Sequence, residues 1–131
     1  MFATLKVELE TLHIAKTDET PEVYLTADSG NSFISGRSLP ENAYEFYQPI
    51  LEWVKGYAKN FAAPLHLEMR FDYFNSSSGR YIFELLHVLE QSKFKESYRI
   101  IWMVEKEDDL MLEKGQELRS LSDLRFDLIE Y

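Results

Sequence analysis

The chain has no cysteine, which removes disulfides, thiolate nucleophiles and cysteine-ligated metal centres at once. No stretch approaches the ~20 apolar residues of a membrane-spanning helix. The first ten residues, Met1–Glu10, show no basic segment followed by an apolar one, so a cytoplasmic location with no membrane attachment is expected. Cations are in the minority: 14 Lys and Arg stand against 23 Asp and Glu, for a formal net charge of −9. Without a basic cluster to offset that charge, nucleic acid is disfavoured as a partner. Also missing are a nucleophile elbow, the two glycine-rich phosphate-loop patterns, and calcium-loop spacing in the acidic run Glu105–Asp109. His13, His66 and His87 fall on three separate segments, and His66 with Glu68 offers only two ligand types on one strand face. No metal or other cofactor is therefore expected.

What remains is rich in large apolar groups. Nine Phe, eight Tyr and two Trp in a chain that is 45% hydrophobic argue for one folded domain over residues 1–131, with a substantial core. Leu12–Ala15 reads as a short strand. Val23–Ala27 and Ser32–Gly36 read as a hairpin around the turn Asp28–Asn31. Pro40, Glu41 and Asn42 open a helix whose apolar residues recur at 3.6 spacing from Ala43 to Phe61. Pro49 lies inside it and predicts a kink or a restart.

Leu65, Leu67, Met69, Phe71 and Tyr73 alternate with His66, Glu68, Arg70 and Asp72, a strand with one core face and one wet face. Ile82, Leu85, Leu86 and Leu89, widened by Tyr81, Phe83 and Val88, mark a second helix. Tyr98–Val104 is apolar on both faces and reads as a central strand, Asp108–Leu118 as a short acidic helix, and Phe126–Tyr131 as a last strand. This order predicts an α/β domain with a central mixed sheet and its helices mainly on one face.

Function concentrates at the junction Tyr73–Arg80, where a strand meets a helix through Asn75, Ser76, Ser77, Ser78 and Gly79. Unpaired N–H groups and the positive dipole end at a helix start favour an anion. Spacing alone leaves two readings open. In one, Asn75, Ser76 or Ser77 is an ordinary cap, contributing about 1 kcal/mol. In the other, phosphate is bound there or attached to a serine. Gly79 in the first turn costs about 0.8–1.0 kcal/mol relative to Ala, and Arg80 is a cation where the dipole disfavours one. A nearby phosphate would reverse that last sign.

Several motifs, in this order and spacing, carry a resemblance: Thr20–Val23, Ile34–Ser38, Pro40–Ala43, Glu45–Trp53, Tyr73–Ser78, Glu107–Leu112 and Phe126–Glu130. The chain resembles the SiaC family of bacterial regulatory phosphoproteins over about residues 12–130. The resemblance implies a fold like the STAS domain of anti-sigma-factor antagonists. It also implies a non-enzymatic protein phosphorylated at the hydroxyl after Asn, here Ser76, where the family usually carries Thr. Ser77 and Ser78 stand as alternate acceptors, with Asn75, Gly79 and Arg80 as the phosphosite environment. The implied partners are a cognate serine/threonine kinase, a metal-dependent phosphatase, and a diguanylate cyclase that the unphosphorylated form activates in biofilm control. The expected partner surface joins the helix start at Ser76 to the corner Pro40, Glu41 and Asn42. Two other classes stay in view: a small acidic enzyme using a serine and carboxylates on a small molecule, and a scaffold indifferent to phosphorylation.

Overall fold

The computed structural model describes residues 8–28 and 31–131; Met1–Val7, and Ser29 and Gly30 of the expected hairpin turn, lie outside the described residues. Six strands form one sheet in sequential order: β1 (Leu12–Ile14), β2 (Glu22–Leu25), β3 (Asn31–Ser38), β4 (Leu65–Phe74), β5 (Tyr98–Val104) and β6 (Arg125–Glu130). β1, β2 and β3 pair antiparallel, and β3 to β6 pair parallel, so the sheet is mixed as expected. Three helices make the parallel crossovers: α1 (Ala43–Asn60), α2 (Ser76–Glu90) and α3 (Asp109–Ser120). Each crossover advances one strand in the same direction. Right-handed connections must then put all three helices on one face and leave the other to solvent.

The residues obey that division. Val23, Ile34, Leu67, Met69, Ile100 and Trp102 are buried beneath the helices, whereas His66, Arg70 and Asp72 are exposed on the open face. β5 is flanked on both sides, as its apolar run predicted, yet Arg99, Ile101 and Met103 on its outer face are only half-buried. No described helix is long and apolar enough to cross a membrane.

Three expectations need correction. Pro49 does not restart α1, which runs unbroken through it. Its missing N–H would have bonded the Glu45 carbonyl, and both residues are exposed, so water can take that carbonyl. Tyr73 does not continue the buried face of β4. Gly36 pairs with Phe71 but Arg37 pairs with Tyr73, so Asp72 is an extra residue in β4 and Phe74 is buried instead. The bulge is accommodated across the ladder by Gly36, whose φ of 128° a side chain would resist. Phe83 does not widen the core stripe of α2 but is exposed. α2 leans toward α1, with Tyr81 stacked on Tyr47 at 5.7 Å, which turns Phe83 to the opposite flank.

α3 is seated unusually close to the sheet. The acidic run does supply its start: Asp108 caps it by accepting from the Met111 N–H at 3.2 Å. One turn further on, a Cβ at Gly115 would lie 2.5 Å from the Trp102 indole and 2.8 Å from Leu128. The indole Nε1–H donates to the Met111 carbonyl at 3.1 Å.

Candidate functional site

The bulge delivers β4 to its end at Phe74, and the chain then turns into α2. Asn75 makes that turn with extended backbone, and its Oδ1 accepts from the Ser78 N–H at 2.9 Å. The Gly79 N–H donates to the Asn75 carbonyl at 2.9 Å. Asn75 alone is therefore the cap, which leaves the Ser76 and Ser77 hydroxyls free of that task. The N–H groups of Ser76 and Ser77 head the helix with no described hydrogen-bond partner, as the helix start requires.

The three serines occupy three different environments. Ser78 is fully buried. Its hydroxyl donates to the Ser38 carbonyl at 3.0 Å and accepts from the Ser38 hydroxyl at 2.9 Å. The Ser38 hydroxyl also meets the Tyr47 hydroxyl at 2.6 Å. Because Ser38 spends its one proton on Ser78, Tyr47 must be the donor to Ser38. The Ser38 carbonyl takes a further bond from the Asn75 N–H at 3.1 Å. Burial pushes the Tyr47 phenol up to about 12, partly offset by its serine hydrogen bonds. This knot fastens the start of α2 to the end of β3 and to α1.

Ser76 and Ser77 are exposed and face different grooves. Ser77 and Arg80 line a groove of about 910 Å³ whose far side is Pro40, Glu41 and Asn42 at the start of α1. The expected partner corner and the serine helix thus share one wall-to-wall depression. Asn42 caps α1 by accepting from the Glu45 N–H at 3.0 Å. The third wall is the Thr17–Thr20 turn, where the Thr17 Oγ1 accepts from the Glu19 and Thr20 N–H groups and the Glu19 carbonyl holds the Leu39 N–H at 2.7 Å. Carboxylates of Glu19, Glu41 and Glu45 line this groove with Arg80, which has no carboxylate within 4.0 Å among the described residues.

Ser76 lines a second, smaller groove of about 270 Å³ between α2 and α3. Gly79 and Phe74 lie beside it, Phe83, Leu118 and Leu121 give it apolar walls, and Lys114 and Glu117 are its charged groups. Gly79 is small for a reason: a Cβ there would stand 3.0 Å from the Phe74 ring.

Of the site residues read from sequence, Asn75, Ser77, Gly79, Arg80, Pro40, Glu41 and Asn42 gather around the start of α2, with Ser76 at its head. Ser38, Tyr47 and Lys114 were missed. Ser38 sat inside a noted motif and Tyr47 on a core stripe, while Lys114 carried no local signal at all.

The matches to known proteins agree with this fold. A family model described as "SiaC family regulatory phosphoprotein" matches residues 14–131. An uncharacterized protein of Pseudomonas aeruginosa (strain UCBPP-PA14) is 28% identical over 109 residues, covering 82% of this chain and 86% of that one. Among solved structures, SiaC of Pseudomonas aeruginosa superposes with a TM-score of 0.85 at 26% identity, covering 93% of this chain and 99% of that chain. A second neighbour is SiaC seen in complex with the diguanylate cyclase SiaD, which it activates; the TM-score is 0.85 at 26% identity, over 92% of this chain and 99% of that chain. The chain belongs to the SiaC family of regulatory phosphoproteins.

Proposed function

We propose that this protein is a non-enzymatic switch whose unphosphorylated form binds and activates a diguanylate cyclase, and so promotes biofilm formation. A cognate kinase would transfer the γ-phosphoryl group of ATP to the Ser76 oxygen, releasing ADP and the hydroxyl proton, and a metal-dependent phosphatase would remove it. The observation that carries this reading is the sorting of the serines. Ser78 is locked in a buried network, while Ser76 and Ser77 stand exposed at the head of α2 with hydroxyls that make no described hydrogen bond, and the family position directly after Asn75 selects Ser76 between them. The relative's complex with its cyclase supports the choice of partner class.

The partner surface in this proposal is the start of α2 with the corner at Pro40, Glu41 and Asn42, which line one groove with Ser77 and Arg80. Phosphate adds roughly −1.5 to −2 charge to a chain already at −9. A partner lying across the start of α2 would have to desolvate that charge or be repelled by it. Incubation with kinase and ATP followed by peptide mass spectrometry should find phosphate on Ser76 before Ser77. Calorimetry should then find that Ser76→Ala retains cyclase binding, Ser76→Asp weakens it, and the phosphoprotein weakens it most. Equal binding by phosphoprotein and unmodified protein would sink the switch.

A further inference from the structure

We infer that the groove between α2 and α3 is the seat of the Ser76 phosphate and that Lys114 is the residue that pairs with it; this rests on the reading of Ser76 as the modified residue. Ser76 comes from α2 and Lys114 from α3, and the two line the same small groove. Lys114 is a cation held in reserve. Its Nζ stands 4.5 Å from the centroid of the Phe74 ring, and no carboxylate lies within 4.0 Å of it among the described residues.

A cation over a ring face is held by the ring quadrupole alone, and that hold is weaker than a charge-assisted hydrogen bond to a phosphate oxygen. Gly79 places no side chain over Phe74, so the space beside that ring is not filled from α2. A phosphate at the start of α2 would therefore draw Lys114 off Phe74. The move would alter the groove that Phe83, Leu118 and Leu121 line.

The competing charges are few. Glu117, on the same helix as Lys114, lines the groove and opposes a dianion. Arg80, one turn along α2 from Ser76, lines the other groove with Ser77. The assignment thus separates two cations that look interchangeable by charge: Lys114 serves Ser76, and Arg80 stands on the Ser77 side.

The test uses the full chain with phosphoserine genetically encoded at position 76, so it does not depend on any kinase choosing that residue. The second ionisation of the phosphate is followed by ³¹P NMR titration, with circular dichroism confirming the fold of each variant. Lys114→Gln should raise that pKa by about 0.5, Lys114→Arg should keep the parent value, and Arg80→Gln, one turn from Ser76 but lining the other groove, should raise it by less. A folded Lys114→Gln variant that titrates with the parent, or an Arg80→Gln variant that raises the value as much as or more than Lys114→Gln, overturns the inference. Failure of the kinase to modify Ser76 would count instead against the functional proposal.

Discussion

Ser38 is the residue whose removal should cost most for its size. Its hydroxyl stands between Tyr47 and Ser78, accepting from the first and donating to the second, and all three side chains are fully buried. Ser38→Ala removes only one oxygen, yet it takes from the buried Tyr47 O–H its 2.6 Å acceptor and leaves it to the neighbouring Ser78 hydroxyl. An orphaned buried donor costs about 1–3 kcal/mol, and the lost bond to Ser78 adds about 0.5–1.5 kcal/mol. The expected destabilisation is therefore about 1.5–4.5 kcal/mol, toward the lower end where Ser78 takes over the Tyr47 proton. Tyr47→Phe should be milder, about 1 kcal/mol, because Ser38 keeps its bond to Ser78 and loses only a bond it accepted. In the double variant no donor is left short of its acceptor, so the combined loss should fall short of the sum of the singles by about 1 kcal/mol. Urea denaturation of the four proteins at pH 7, with m-values checked for constancy, measures each quantity. Additivity within about 0.5 kcal/mol would refute the proton assignment that makes Tyr47 the donor.

Two further outcomes follow from close packing and from burial. Gly115→Ala should destabilise by about 1–3 kcal/mol through overpacking, although alanine is the better helix former, because its Cβ would meet the Trp102 indole and Leu128; a stabilised variant in thermal denaturation would refute the seating of α3. The Tyr47 phenol is pushed up to about 12 in the folded chain, against the ordinary tyrosine value of 10.0. Folding then favours the protonated phenol, so its contribution is intact below pH 10 and is lost as pH rises toward 12. Tyr47→Phe should flatten the alkaline fall in stability over that window, and an unchanged pH profile would count against it.

Much of the fold was legible because burial imposes period. The alternation in Leu65–Phe71 and the helical spacing in Ala43–Phe61 each follow from one face meeting the core. Legibility failed where a neighbour decided the outcome. Nothing within β4 marks Asp72 as an extra residue; the mark is Gly36, on the adjacent strand. Pro49 reads as a restart point until it is found on the exposed side of an unbroken α1. Phe83 reads as core until the lean of α2 toward α1 is known. At the site, Asn75 and the Pro40–Asn42 corner were readable from local chemistry. Lys114 was not, because only the β5–α3 connection brings it into the groove that Ser76 lines.

The extra residue in β4 also bears on how such a site can change over time. Ser76, Ser77 and Ser78 are chemically the same, and what distinguishes them is the compass bearing at which α2 presents each one. That bearing is inherited from the strand before it, where Asp72 turns Phe74 inward and Tyr73 outward. Deleting Asp72 would close the bulge and keep Phe74 inward, but a one-residue insertion or deletion that no bulge absorbs would leave every serine in the chain and still re-address them, exchanging which hydroxyl is hidden and which is offered. Insertions and deletions upstream of the motif therefore belong among the changes that can rewire this protein, alongside substitutions within it. A match to the motif letters carries the same meaning only when the strand leading into it keeps the same count.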